Sequence, residues 1–415
     1  MNIAIVGAGI IGITTALELA QDGHQVTVYE QLNATAEDAS FAPGGWLAPL
    51  AAHSLATPGI GMPLKQLQSG KDLIQASSMI GSPTWRWMRQ WKKLEKQAHK
   101  SNDTTLCAAL HALGLYSASL RWQQDEDPEL TAEHKRGGLI LLRTPQEVDF
   151  WNQQIPLLQA QGVSCRLINA SQAQILEPGL GKEIAWLNAL YFPKAESINP
   201  RLWAHYLRAH AQALGVVFCT GQKIEKINPA SLCIHTTETA QPFEHIVICT
   251  GAHTELLAAL NLKLPIMQIW GYSITAPVRD PLHAPRAAIM DWAQQATISR
   301  MGQRVRIAAG LEIGSTANTP HHQPTLQRMY HLLNDWFPGG VQLSTAQVQV
   351  WRGARGYLPD GLPALGATTH KGIWLNLAHG SHGASLANGC ARALADMLRD
   401  TTPAVDIQAF SPQRF

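Results

Sequence analysis

Six residues near the start, Gly7-Ala8-Gly9-Ile10-Ile11-Gly12, constrain this chain more than anything after them. They follow Asn2–Val6, a short apolar run suited to a strand buried on both faces. Ile10, Ile13, Leu17 and Ala20 then recur at helical spacing, and Gly23-His24 ends that pattern. Gln25–Tyr29 reads as a second strand with Glu30 at its tip, which completes one βαβ unit. Each glycine has its own task. Gly7 permits the tight turn off the strand, Gly9 lets a pyrophosphate approach bare backbone, and Gly12 lets the helix pack on the strand. The pyrophosphate then meets free N–H groups and the positive end of the helix dipole. A lone G-x-G-x-x-G is weak evidence, since a structural βαβ unit also tolerates a glycine-rich turn. Here it leaves a strand, opens a helix, and has an acidic residue 18 positions after Gly12. That context predicts a dinucleotide site, with Glu30 accepting from the ribose hydroxyls. Glu30 disfavours a 2′-phosphate, but it does not separate FAD from NAD.

At 415 residues the chain exceeds one ordinary core, so two domains or one domain with a large insertion are expected. Lys and Arg total 32 against 30 Asp and Glu, a net charge of +2, which gives no reason to expect a nucleic acid partner. The six cysteines form no C-x-x-C pair and no metal-ligand spacing. Reduced, buried thiols in a cytoplasmic protein are expected. The apolar start lacks a basic leader region, and no run of 18 apolar residues exists, so neither a signal peptide nor a transmembrane helix is expected. Peripheral contact with an inner membrane stays open.

Beyond the opening unit, residues 33 to 63 read as a long loop containing Ser40-Phe41-Ala42-Pro43-Gly44-Gly45-Trp46, ordered against something flat. Residues 64 to 125 read as helical, with Trp85, Trp87, Met88 and Trp91 as an aromatic cluster for the core, or else for a lid or a membrane face. Asn199-Pro200 starts a helix that Gly215 ends, and strands follow at 216–219 and 223–227. His245–Cys249 reads as a buried strand reaching the small-residue turn Thr250-Gly251-Ala252, where an open α/β sheet again meets a ligand. Leu264–Thr275 and Arg304–Ala309 read as β, and 313–325 as a loop in which His321 and His322 are exposed. Near the end, the strand Gly372–Leu377 runs into Ala378-His379-Gly380-Ser381-His382-Gly383 and a helix carrying Leu386, Cys390 and Leu394 on one face. This second glycine-rich junction suits the negative charge of a reduced flavin, and NAD has no need of it.

These residues resemble the D-amino acid dehydrogenase small-subunit type, within the FAD-dependent amino acid oxidase family that includes glycine and sarcosine oxidases. The likeness rests on Gly271-Tyr272-Ser273-Ile274-Thr275, on Trp351-Arg352-Gly353-Ala354-Arg355 followed by Pro359-Asp360-Gly361-Leu362-Pro363, and on Asn376 with His379-Gly380 and Gly383. It implies an α/β fold, α+β overall. A Rossmann-like FAD-binding domain would be assembled from residues 1–80, 196–264 and 346–415. A discontinuous mixed-sheet substrate domain would come from 81–195 and 265–345. The chain departs from the family pattern at Pro43, Trp46, Trp270, Leu358 and Ala378, where Asn, Gln, Lys, Thr and Gly are usual.

The resemblance also implies that Arg355 clamps the carboxylate of an amino acid or amine substrate through two parallel hydrogen bonds, with Arg352 as the competing candidate. Tyr272 would supply a hydroxyl beside it. The expected cofactor contacts are Gly7, Ala8, Gly9, Ile10, Ile11, Gly12 and Glu30, then Ser40, Gly44 and Gly45. Ile224, Thr250 and Gly251 follow, and Gly380, Ser381, His382 and Gly383 complete the set. No metal is expected. The implied reaction is oxidative deamination by hydride transfer to FAD, giving a 2-oxo acid and ammonia, with electrons passed to a quinone or other acceptor. Orientation supplies most of the acceleration, and His53, His379 and His382 are candidate proton handlers. An oxygen-using glycine or sarcosine oxidase, a non-catalytic flavin-binding subunit and an NAD enzyme are the alternatives.

Overall fold

The apolar strand Asn2–Val6 lies at the centre of a six-stranded sheet, because its side chains find cover on both faces. A computed structural model describes residues 1–47, 73–76, 81–101, 105–121, 132–344 and 346–415. Across that sheet the order is Ala364–Ala367, Ile373–Leu377, His245–Ile248, Asn2–Val6, Gln25–Tyr29 and Val217–Cys219. All neighbours run parallel except the first pair. Ile3, Ala4, Ile5 and Val28 are fully buried, as are Ile246, Val247 and Ile248. One face is covered by the helices Ile10–Gln21, Pro200–Ala213 and Gly383–Leu398. The other meets a small three-stranded sheet and the short helix Glu255–Ala259.

The second sheet is mixed and has nine strands. Its order runs Gln349–Tyr357, Met267–Pro277, Arg304–Ile313, Ala296–Met301, Ala288–Asp291, Gly138–Leu142, Asn188–Tyr191 and Arg166–Asn169, and Ile74–Ala76 adds beside Arg304–Ile313. Helix Gln323–Trp336 packs on it through Met329, Leu332, Leu333 and Trp336, all fully buried. Its N-cap is His322, whose ring accepts from the Thr325 N–H, so the loop expected over 313–325 ends earlier.

Three segments lie with the opposite sheet from the one the sequence reading gave them. Gln349–Tyr357 and Ile74–Ala76 pair in the nine-stranded sheet, not with the flavin segments. Helix Thr105–Arg121 packs on the C-terminal helix, with Leu110 and Leu113 buried in the first sheet's core. The cause is long-range packing, which local pattern does not carry. Trp87, Met88 and Trp91 of helix Ser82–Ser101 are buried against Ile269, Ile313 and Tyr357, whereas Trp85 is 58% exposed. All six cysteines are free thiols. No helix among the described residues is long and apolar enough to cross a membrane.

Candidate active site

The chain leaves the central strand Asn2–Val6 toward Gln25–Tyr29 on one side and accepts His245–Ile248 on the other. The carboxyl ends of these strands therefore open a crevice at a switch point of strand order. Gly7 makes the turn there with φ +103, a backbone conformation strained for any residue with a Cβ. A Cβ on Gly7 would lie 2.7 Å from the Cys249 carbonyl, and one on Gly12 would lie 1.9 Å from the Gly7 carbonyl. The turn, the neighbouring strand and the helix are in contact, as the glycine spacing predicts.

One cavity of 790 Å³ opens from this crevice and runs between the two sheets. Gly7, Gly9, Ile10, Ile11 and Glu30 line it. Ala8 and Gly12, expected as cofactor contacts, are not on its wall. Both are buried, and each supports the cradle from below. The Ala8 N–H donates to Glu30 Oε2 at 2.8 Å, and the Leu32 N–H donates to Glu30 Oε1 at 2.9 Å. These bonds hold the carboxylate in place and leave each oxygen a further lone pair. Ser40 lines the cavity, and its hydroxyl accepts from the Ile10 N–H at 3.0 Å. The amides of Ile11 and Gly12 belong to the first helical turn, which has no intrahelical acceptor and no acidic side chain.

Gly44 and Gly45 line the wall, their carbonyls accepting from the Ser299 hydroxyl at 2.8 Å and the Ile198 N–H at 2.9 Å. The Pro43 carbonyl accepts from Arg306 at 3.0 Å. Three successive carbonyls are thus held by the protein. Ile224, Thr250 and Gly251 also line the cavity, as do Gly380, Ser381, His382 and Gly383. A Cβ on Gly383 would come 4.0 Å from Ile11, so the two glycine-rich helix starts meet at this site. Ala378, where glycine is usual, adopts φ +61, which explains the usual residue.

The far end is set by the edge strand Gln349–Tyr357. Arg352 and Arg355 are an odd number of residues apart and so leave opposite faces. Arg352 is locked, with its Nη2 2.8 Å from Glu312 Oε2, a further bond to the Thr316 carbonyl, and Trp270 stacked 4.2 Å from its guanidinium carbon. Arg355 lines the cavity, donates to Ser381 Oγ at 2.6 Å, and makes no ion pair among the described residues. The Tyr357 hydroxyl shares Ser381 Oγ with it. Tyr357 also lines the cavity and was missed by sequence reading, although its i+2 spacing from Arg355 was the available signal.

Tyr272 lines the cavity but is 1% exposed. Its hydroxyl donates to Glu312 at 2.6 Å and accepts from the His322 N–H at 2.8 Å. Burial and the Glu312 carboxylate push it up to about 12. The hydroxyl expected beside a substrate carboxylate is therefore engaged elsewhere, and Tyr272 positions the Glu312–Arg352 pair. His379, a candidate proton handler, is buried at the cavity wall, and desolvation pushes it down to about 3. His53 lies outside the described residues. His253 and Asp38 face each other across the cavity wall at 2.9 Å, and this bond raises the histidine.

A site with bare glycine amides and a helix start at one end, a carboxylate held for ribose nearby, and a second helix start opposite fits FAD. The volume also falls within the range of ligand pockets. Comparison with known proteins agrees. Two curated relatives named D-amino acid dehydrogenase match the full chain. The protein of Bradyrhizobium diazoefficiens is 29% identical over 426 residues, covering 99% of that relative. The protein of Sinorhizobium medicae is 29% identical over 423 residues, covering all of it. The crystal structure of glycine oxidase from Geobacillus kaustophilus superposes with a TM-score of 0.77 at 20% identity, covering 100% of this chain and 98% of that one. The FAD dependent oxidoreductase family matches residues 2–397, and the chain belongs to that family, with FAD as its cofactor.

Proposed function

We propose that this oxidoreductase oxidises the amine of an amino acid, of D configuration, to the 2-oxo acid and ammonia, and delivers the electrons to a quinone or another acceptor in place of oxygen. The observation that carries the reading is Arg355. A half-buried guanidinium without an acidic partner among the described residues stands in the same cavity as the dinucleotide cradle. Such a group is suited to a carboxylate held through two charge-assisted bonds. The full-length relatives named D-amino acid dehydrogenase support the stereochemistry and the choice of acceptor.

In this reading the chain's own residues bind and orient. Arg355 holds the carboxylate, Ser381 holds Arg355, and Tyr357 holds Ser381. Bound FAD supplies the hydride acceptor. A substrate amine that enters deprotonated needs no side-chain base for hydride transfer. Fixing the α-carbon by its carboxylate supplies the orientation that lowers the barrier by several kcal/mol, up to about 10.

The test is anaerobic bleaching of the purified yellow protein with a panel of D- and L-amino acids, glycine and sarcosine. Reoxidation by oxygen is then compared with reoxidation by a soluble quinone. D-amino acids should bleach the flavin, and the quinone should restore it faster than air. Bleaching by sarcosine with rapid return in oxygen would reassign the protein as an amine oxidase. A flavin that no amine reduces would make it a non-catalytic flavoprotein.

A further inference from the structure

Arg355 starts on the edge strand, yet its guanidinium does not stay over that strand. A Cβ on Gly271 would lie 1.7 Å from Nη2, and Nη2 reaches the Gly310 carbonyl at 3.4 Å. The side chain crosses Met267–Pro277 and ends over Arg304–Ile313. From there the sheet register runs on in one row: Ala308 pairs with Thr297, Thr297 with Met290, and Met290 with Ile140. All four line the cavity.

Trp46 closes the far end of this row. Its ring carbon lies 3.0 Å from the Cβ position of Gly138, and it packs with Ile140 and Met290 in one apolar cluster. Of the described nine-strand residues that line the cavity, Arg355 is the one with a charge. The acidic lining residues, Glu30, Glu37, Asp38, Glu225 and Glu255, all come from other elements.

We propose that Trp46, Ile140, Met290 and the Thr297 methyl form the pocket for the substrate side chain, and that the substrate is an amino acid with a long or bulky uncharged side chain. This rests on the reading that the site oxidises an amino acid held by Arg355. Geometry sets the size. Strands lie about 4.8 Å apart and residues rise about 3.4 Å, so Met290 is roughly 12 Å diagonally from Gly310. A carboxylate takes up about 3 Å of that span at the guanidinium. A methyl group stops short of Met290 and Trp46, whereas a leucyl, methionyl or aromatic side chain reaches them. Each methylene buried there is worth about fourfold in kcat/KM. A charged side chain would lose its water without gaining a counter-charge, at a cost of at least about a hundredfold.

The experiment measures the rate of anaerobic flavin reduction in the FAD-loaded protein against both enantiomers of alanine, leucine, methionine, phenylalanine, glutamate and lysine. It is repeated in Met290→Ala and Met290→Trp, with flavin content read from visible absorbance. Leucine, methionine or phenylalanine should exceed alanine by tenfold or more in kcat/KM, with glutamate and lysine below alanine. Met290→Trp should cut the ratio of large to small substrates at least tenfold, and Met290→Ala should change which large side chain is preferred. A preference for alanine or a charged amino acid, or ratios that neither variant moves, would overturn the pocket while leaving amino acid oxidation intact. No bleaching by any amino acid would overturn both.

Discussion

Gly271→Ala is the sharpest test of how Arg355 reaches the cavity. The backbone at Gly271 is not in the left-handed region, so alanine is conformationally allowed there. The obstacle is space. The added methyl would sit 1.7 Å from Nη2 and 2.9 Å from Cζ of Arg355, and 3.0 Å from the Gly310 carbonyl. The flexible side chain must yield, since the strand is paired with Gln349–Tyr357 along its length. Two charge-assisted hydrogen bonds to a carboxylate are worth about 4 kcal/mol together. Their loss lowers kcat/KM by roughly a thousandfold. Stopped-flow anaerobic flavin reduction reads this directly, with Arg355→Ala as the reference for complete loss. Flavin content and thermal midpoint should stay near wild type, because Gly271 is not on the cofactor cradle. A Gly271→Ala protein that reduces its flavin within threefold of the wild-type rate would refute the crossing geometry.

Gly9→Val should fold yet emerge colourless, since a Cβ there meets only Ser40 Oγ at 3.3 Å and the rest of the side chain enters the cavity; circular dichroism with visible absorbance decides it. His379 is pushed down to about 3 in the folded state against an ordinary value of 6.5, so its contribution to stability is complete above pH 6.5 and is lost as pH falls toward 3. Urea midpoints should show about 2 kcal/mol lost to this group between pH 6.5 and 5, and His379→Gln should flatten that slope. Arg392→Met should cost about 3 kcal/mol in denaturant unfolding, because it strands the buried Glu18 and leaves Asp22 and Asp396 with Arg399 alone, in a network between the first and last helices. Arg355→Leu should be at least as stable as wild type without ligand; a loss above about 2 kcal/mol would mark the guanidinium as structural.

What the sequence made legible is local. The opening βαβ unit needs nothing beyond 30 residues, because turn, helix start and ribose acceptor all lie within one supersecondary unit. The second glycine junction at 378–383 was legible for the same reason. The pocket row was not. Ile140, Met290, Thr297 and Ala308 become neighbours only through strand pairing, and sequence pattern says nothing about which strands pair. Tyr272 shows the opposite failure. Its motif drew it into the site, but the group that engages its hydroxyl, Glu312, is 40 residues away.

The two arginines show where sequence reasoning stops and what resolves it. A strand turns positions 352 and 355 to opposite faces, so one of them had to leave the cavity. Sequence alone does not say which, because both are arginines beside glycines. The structure provides for the two unequally. Arg352 has an anion, a carbonyl and an aromatic face, all that a buried cation requires. Arg355 has a hydroxyl and one long contact to a carbonyl, and neither neutralises it. A cation held half-buried with its charge uncompensated lowers stability unless something else supplies the anion. Glycine at 271, bare of the carbon that would block the path, keeps that cation extended into the cavity. The missing anion is therefore expected from the ligand.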